Sequence, residues 1–195
     1  MADNQDDLVA SKTEGFKVGE KKTLDEYNKL DADDEAMVRW KASLGLDAEQ
    51  IGQPGDPHCI IKSLALRVKG RDDVTIDLSS PESLASLKDK PFTIKEGATF
   101  HIQVVFQVNG EVMSGLKYVQ VVKRKGVRVS KDEEMLGSYA PNTTAKRVHT
   151  KDFQEEEAPS GMLARGHYKA TSRFVDDDDK SHLSFEWSFD IAKDW

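Results

Sequence analysis

The sequence predicts a mainly β protein, an immunoglobulin-like antiparallel β-sandwich with a flexible N-terminal arm that contains two short helices. Three observations carry that reading. Beyond about residue 58, apolar residues alternate with a period of two, as they do in strands with one buried face. Turn-forming residues break the alternation at short, regular intervals, the rhythm of a two-sheet sandwich. Ahead of the Gly/Pro/Asp-rich joint "DAEQIGQPGDP" the period is helical instead. Residues 1–57 are therefore expected to form an arm and residues 58–195 the sandwich.

Within the arm, residues 1–22 are polar, poor in large aliphatics and without periodicity, so they are read as disordered. A helix-turn-helix is expected over about 23–45, followed by a joint over 46–57. Thr23 and Glu26 have the spacing of a capping box, in which each side chain satisfies the other residue's free backbone N–H. Leu24, Tyr27 and Leu30 then share a face. Asp31 or Asp33 is expected to cap the second helix. Asp33, Asp34 and Glu35 lie near its first turn, where the positive end of the macrodipole favours carboxylates. Met37, Trp40 and Leu44 form its apolar stripe, and Gly45 ends it. Helices this short are marginal alone in water, so they either fold back onto the sandwich or order against a partner. The Asp-rich run lacks the glycine and the bidentate Glu of a calcium loop.

In the sandwich, "IIKSLALRV" and "VTIDLSS" read as strands, and "PFTIKEGATF" as a strand and a turn. Phe100, Ile102, Val104, Phe106 and Val108 share one face of the next strand. Asn109-Gly110 reads as a hairpin turn into a strand over 116–123, with Lys125-Gly126 as a further turn. "HYKATSRFV" and "HLSFEWSFDI" are expected to pair around "DDDDKS", for about eight antiparallel strands in all. On the last strand Leu183, Phe185, Trp187, Phe189 and Ile191 share one face. Such residues either fill a core or border an open one, and alternation alone does not separate the two.

The formal charge of −7 is unevenly placed: residues 1–60 hold 14 acidic and 7 basic side chains, and the remaining residues hold 21 of each. An acidic arm on a neutral body argues against nucleic acid and anionic lipid as main partners and for a basic protein surface. The basic cluster Lys123, Arg124, Lys125 and Arg128 reads as a solvated hairpin, with a lipid contact as the alternative. A single cysteine, Cys59, excludes an intramolecular disulfide framework, and no signal-peptide run or 18-residue apolar span is seen, so a cytoplasmic location is expected. His58, His101, His149, His167 and His182 lack metal-ligand spacing, and Cys59 is placed in the joint without a nucleophile signature. No G-x-S-x-G, P-loop or dinucleotide turn occurs. The chain is expected to be no enzyme and to need no cofactor and no metal.

The runs "LDADDEAMVRWKASL", "SGLKYVQVVKRKGVRV", "MLGSYAP", "EEEAPSGMLARGHYKATSRF" and "DDDDKSHLSFEWSFDIAKDW" resemble the Rho GDP-dissociation inhibitor family, in register from about Lys22 to Trp195. The resemblance implies a cytosolic regulator that binds GDP-bound, geranylgeranylated Rho-family small GTPases, Rho, Rac and relatives, as a monomer forming a 1:1 heterodimer. It implies that the isoprenoid lipid group is held between the sheets, that the GTPase is drawn off membranes, and that the inhibitor makes no stable membrane insertion. Leu30 and Asp34 match positions that touch the switch regions, and Asp178 matches one that pairs with a switch Arg. Leu66, Phe92, Val112, Leu163, Ala170 and Trp187 match the prenyl pocket, Val112 and Ala170 standing where longer aliphatics are usual. Glu156 and Glu157 match the acidic pair that faces the GTPase's polybasic tail. Pro91 and His167 occupy positions where some relatives carry a phosphorylated serine, so charge-switched release at those sites is not expected here. An alternative is a general carrier of prenylated proteins that ignores the switch regions.

Overall fold

The structure, a computed structural model, describes residues 8–11, 15, 19–20, 22–53 and 55–195. Among these, ten strands form two five-stranded sheets. The first sheet contains β1 (Cys59–Val68), β2 (Val74–Asp77), β4 (Thr99–Val108), β7 (His149–Asp152) and β8 (Glu156–Glu157). Its order is β2-β1-β4-β7, and β8 also pairs with β4. The second contains β3 (Phe92–Lys95), β5 (Met113–Arg124), β6 (Val127–Tyr139), β9 (Gly166–Val175) and β10 (Ser181–Ala192), in the order β3-β10-β9-β5-β6. Val104 and Phe106 from one sheet meet Leu116, Tyr118 and Phe174 from the other in a core with almost no solvent contact. One pair departs from the antiparallel pattern, since β3 runs parallel to β10 with Phe92 beside Phe189. A short helix, α3 (Pro81–Ser86), connects β2 to β3 and is capped by Ser80, whose side chain accepts from Ser83 N–H.

The Asn109-Gly110 expectation is corrected. β4 and β5 lie in opposite sheets, so this dipeptide carries the chain across the sandwich. A two-residue hairpin turn of the expected type needs positive φ at both positions, and here only Gly110 has it, at 76°. Asn109 is instead buried and committed to the joint. Its N–H donates to His58 O at 2.8 Å, its Nδ2 donates to Pro57 O at 2.8 Å, and its Oδ1 accepts from Gln107 Nε2 at 2.7 Å. The two-residue hairpin is Lys125-Gly126, with φ of 50° and 82° and Arg124 paired to Val127. Cys59 is likewise not in the joint: it begins β1, is buried, and its thiol is pushed up to about 12 by desolvation, then by the charge of Asp176.

The arm folds as α1 (Leu24–Lys29) and α2 (Glu35–Ser43). Thr23 caps α1 with the reciprocal pair, Glu26 Oε2 accepting from Thr23 N–H at 2.7 Å and Thr23 Oγ1 accepting from Glu26 N–H at 3.3 Å. The cap of α2 is Asp34, not Asp31 or Asp33. Asp31 turns the chain at φ 48°, which sets Asp34 one step before the helix. The helices hold each other: Lys41 Nζ donates to Leu30 O, and Asn28 Nδ2 donates to Leu46 O at 3.1 Å. The joint is tied to the body through a Gln50–Thr143 bridge and Ile51 N–H donating to Asn142 O at 3.2 Å. The expectation of disorder over 1–22 falls in large part outside the described residues; Leu8 to Ser11 lie across the outer face of the second sheet. There Leu8 is buried against Val119, Val121 and Val175, and Ser11 Oγ donates to Glu133 at 2.6 Å. No helix among the described residues is long and apolar enough to cross a membrane.

Candidate functional site

Alternation puts the apolar faces of β1, β4, β5 and β10 between the sheets, and the sheets do not close on each other along their whole length. They leave a cavity of about 370 Å³, within the usual range for small-molecule sites. One wall is aliphatic, with Leu64, Leu66, Ile76 and Ile102. The other is aromatic. Phe92 stacks on Trp187 with ring centroids 5.2 Å apart and planes within 10°, and Tyr168 stacks on Phe189 at 5.2 Å. Trp187 is fixed by its polar edge: Nε1 donates to Ser172 Oγ at 2.8 Å, and that hydroxyl also bonds Tyr118 OH at 2.8 Å. The indole N–H is thereby satisfied without water, which leaves an apolar ring face for the cavity.

The mouth of the cavity is acidic on one rim. Asp132 of β6 and Glu156 and Glu157 of β8 border it, together with Arg124 and Val129. The Glu156 carboxyl is raised above its ordinary value, by desolvation first and then by the charges of Asp132 and Glu134. Three carboxylates facing one opening form an electrostatic seat for a cation.

A second site lies at the far end of the sandwich. Asp176 is buried at the β9–β10 turn and organises it: Oδ1 accepts from Asp178 N–H at 3.0 Å and Lys180 N–H at 2.9 Å, and Oδ2 bonds His182 Nε2 at 2.9 Å. Burial pulls the His182 pKa down, and the Asp176 bond offsets this only in part. Asp178 then stands at the tip, in one crevice with Tyr27 of α1, His58 and Val112. Gly115 makes this approach possible: at φ 57°, any Cβ there would fall 1.9 Å from the Asp177 carboxylate. Above the crevice the arm shows apolar side chains to solvent, Leu30 at 39%, Val38 at 44%, Trp40 at 55% and Leu44 at 43% exposure. Asp34 uses only Oδ1 in its cap, accepting from Ala36 N–H at 2.8 Å and Met37 N–H at 3.2 Å.

Of the six positions expected to line a pocket, the structure brings Leu66, Phe92 and Trp187 together on the cavity. Val112 lies beside α1 in the far crevice. Ala170 is buried and in register with Trp187, but the cavity does not reach it. Leu163 stands out in solvent on the 159–165 loop at 89% exposure. The expected tail-binding pair, Glu156 and Glu157, borders the cavity; of the expected switch-binding residues, Asp178 is in the crevice beside α1, and Leu30 and Asp34 are at the α1–α2 turn of the arm. Sequence reasoning did not assign Ile76, Ile102, Phe189 or Ile191 to a pocket. Strand period put Ile102, Phe189 and Ile191 on shared apolar faces, and only the gap between the sheets makes them a lining.

Comparison with known proteins adds a family. The model of the family described as RHO protein GDP dissociation inhibitor matches residues 1–194. The Rho GDP-dissociation inhibitor of Schizosaccharomyces pombe is 48% identical over 181 residues, covering 91% of this chain and 86% of that protein. The Rho GDP-dissociation inhibitor of Saccharomyces cerevisiae is 42% identical over 182 residues, 91% of this chain and 90% of that protein. Rho GDP-dissociation inhibitor 1 of Homo sapiens is 38% identical over 194 residues, 100% of this chain and 92% of that protein.

Proposed function

The chain belongs to the Rho GDP-dissociation inhibitor family, and from that premise we propose that it binds GDP-bound, prenylated Rho-family GTPases and removes them from membranes as a 1:1 complex in the cytosol. It acts by binding, without chemistry of its own. The observation that carries the proposal is the aromatic-walled cavity between the sheets with its acidic mouth. Such a cavity suits a long apolar chain arriving behind a basic peptide. Leu66, Phe92 and Trp187 are its fixed walls, and Leu163 and Val112 are proposed to reach the lipid or its peptide as the complex forms.

Magnitudes assign the work between the two sites. An isoprenoid of about 20 carbons, at ~0.8 kcal/mol per buried CH₂, contributes at most on the order of 16 kcal/mol. The bilayer offers the same chain a similar burial, so most of that term cancels on extraction. Protein contacts must tip the balance. The arm supplies them: Leu30, Val38, Trp40 and Leu44 are exposed apolar groups awaiting a partner, and Asp34 Oδ2 and Asp178 are acceptors for switch-region donors. Segments held in this way cannot move for nucleotide release, so binding is inhibition.

The two sites also set a length. Asp177 N–H donates to Ser114 O at the start of β5, whereas Gln120, Val122 and Arg124 border the cavity. Six to ten residues of strand separate them, roughly 20–33 Å at ~3.3 Å per residue. A GTPase seated on the arm needs about that many extended residues between its folded body and its prenylated cysteine.

The test is the rate of GDP release from an unprenylated Rho-family GTPase in the presence of the full chain or of a chain lacking residues 1–45. This cut leaves buried Leu46 and the Gln50–Thr143 bridge in place. The full chain is expected to slow release and the shortened one not to. A full chain without effect on release would leave only a carrier of lipids, and the arm would have another purpose.

A further inference from the structure

The most exposed large apolar side chains among the described residues are gathered at one end of the sandwich. Leu163 is 89% exposed, Met162 83% and Val127 67%, with Val129 at 54% beside them. They come from two elements that the structure latches together. Met162 and Leu163 lie on the 159–165 loop, and Val127 and Val129 on the β5–β6 hairpin. Arg124 of the hairpin donates to the carbonyls of Leu163 and Arg165 and stands over the Tyr168 ring at 5.3 Å. Four side chains that would be buried in an ordinary fold thus project from a braced platform.

On one side of them the charge is inverted relative to the chain. Next to the platform runs a groove of about 750 Å³ bordered by Lys88, Lys123, Arg124, Lys125, Arg165 and Lys169. The carboxylates bordering it are Asp89 and Glu186, in a chain whose net charge is −7. Arg165 is engaged with Glu96 at 2.5 Å, and lysines and arginines outnumber carboxylates along the groove. Apolar groups projecting beside a row of lysines and arginines match the interface of an anionic bilayer, where the apolar groups enter the acyl boundary and the cations meet lipid phosphates and carboxylates. A soluble polyanion would use the cations but give the apolar groups nothing.

We propose that this end, the β5–β6 turn with the 159–165 loop, is a docking surface for an anionic lipid bilayer. The contact is shallow and reversible, a few side chains deep, and distinct from insertion. It revises the reading of Lys123, Arg124, Lys125 and Arg128 as merely solvated. The surface stands on exposure and charge alone and does not require the cavity to be a lipid site. If it is one, the geometry gives a path, because Arg124 and Val129 border both the platform and the cavity mouth. A lipid leaving the bilayer then enters the cavity without crossing water, and the carboxylates of Asp132 and Glu156 are held just off the membrane surface.

The test uses the full chain alone, without GTPase, and sedimentation with vesicles of phosphatidylcholine or of phosphatidylcholine mixed with phosphatidylserine. Binding is expected to the mixed vesicles, to weaken as salt is raised, and to fall about tenfold or more for Lys123→Glu with Lys125→Glu. The same loss is expected for Met162→Asp with Leu163→Asp. Lys125, Met162 and Leu163 are exposed and Lys123 is half-buried, so melting temperatures are measured to show that the variants fold. Leu163→Trp gives a second readout: its emission should shift to the blue on mixed vesicles and be quenched by brominated acyl chains. Any of three results would overturn the proposal. They are no binding to the mixed vesicles at low salt, binding that ignores the charge reversals, or binding of inorganic polyphosphate with no vesicle-dependent shift of Leu163→Trp. Self-association abolished by Leu163→Asp, with no vesicle binding, would assign the platform to a second copy of the chain instead. Inhibition of GDP release from an unprenylated GTPase reads the arm separately, so either claim can fail without the other.

Discussion

Asp34 caps α2 and, in the function proposed above, also accepts from the GTPase; its neighbours decide how the two roles are to be separated. Its Oδ1 closes the first turn of α2 by accepting from Ala36 and Met37, and only Oδ2 is left for a partner. Asp34→Ala removes both functions together. The lost cap costs about 1 kcal/mol of helix stability, so weaker GTPase binding by that variant would have two causes. Asp34→Ser restores the cap and removes the charged acceptor. Helical content of the arm should fall in Asp34→Ala and recover in Asp34→Ser, by circular dichroism, while GTPase affinity stays low in both. Full recovery of affinity in Asp34→Ser would reduce Asp34 to a cap. The spacing of aspartates showed that this turn would be capped by a carboxylate. It did not show which one, because the left-handed conformation of Asp31 sets where the helix begins.

At the scale of elements, the β9–β10 hairpin depends on a buried pair. Its four aspartates differ in burial: Asp178 and Asp179 are exposed, whereas Asp176 is buried and holds His182, whose side chain is 3% exposed. Burial lowers the His182 pKa, and burial also lowers that of His149, packed near Phe106 and Tyr139. The unfolded chain binds protons at these histidines below about pH 6.5, and the folded chain resists. Their contribution is therefore present above that pH and lost as pH falls through it towards the folded values. Denaturant midpoints should decline as pH is lowered from about 7.5 to about 5.5, with proton uptake on unfolding, and His182→Gln should flatten the slope. A slope unchanged by His182→Gln would remove the pair from the stability of the hairpin. The strands themselves were legible, since β1, β4, β9 and β10 follow their period of two closely. What the local pattern hid was which strands meet. Asn109-Gly110 has turn chemistry, but whether a turn joins paired strands or opposite sheets is decided by residues far away, here His58 and Pro57. The parallel pairing of β3 with β10 is hidden for the same reason.

For the whole molecule, the central relation is between an arm at one end and a cavity mouth at the other, joined by the length of β5. Inward-facing Trp187, Phe189 and Ile191 were readable as core from alternation, whereas an open gap between the sheets is a property of how the faces fail to meet. For the same reason Val112, Ala170 and Leu163 could be aligned to a pocket and yet stand outside the cavity between the sheets. The measurement that tests the relation most directly is extraction of a GDP-loaded, geranylgeranylated Rho-family GTPase from anionic vesicles into the supernatant. It compares the full chain, a chain lacking residues 1–45, and Trp187→Ala. Truncating Trp187 costs about 3–5 kcal/mol of core packing, so this variant is used below its melting temperature and is also tested on an unprenylated GTPase. The full chain should extract, the shortened chain should fail, and Trp187→Ala should lose extraction while still slowing GDP release from the unprenylated protein. Equal extraction by the full and shortened chains would contradict the account, because the cavity would then be sufficient and the arm would add nothing to the transfer.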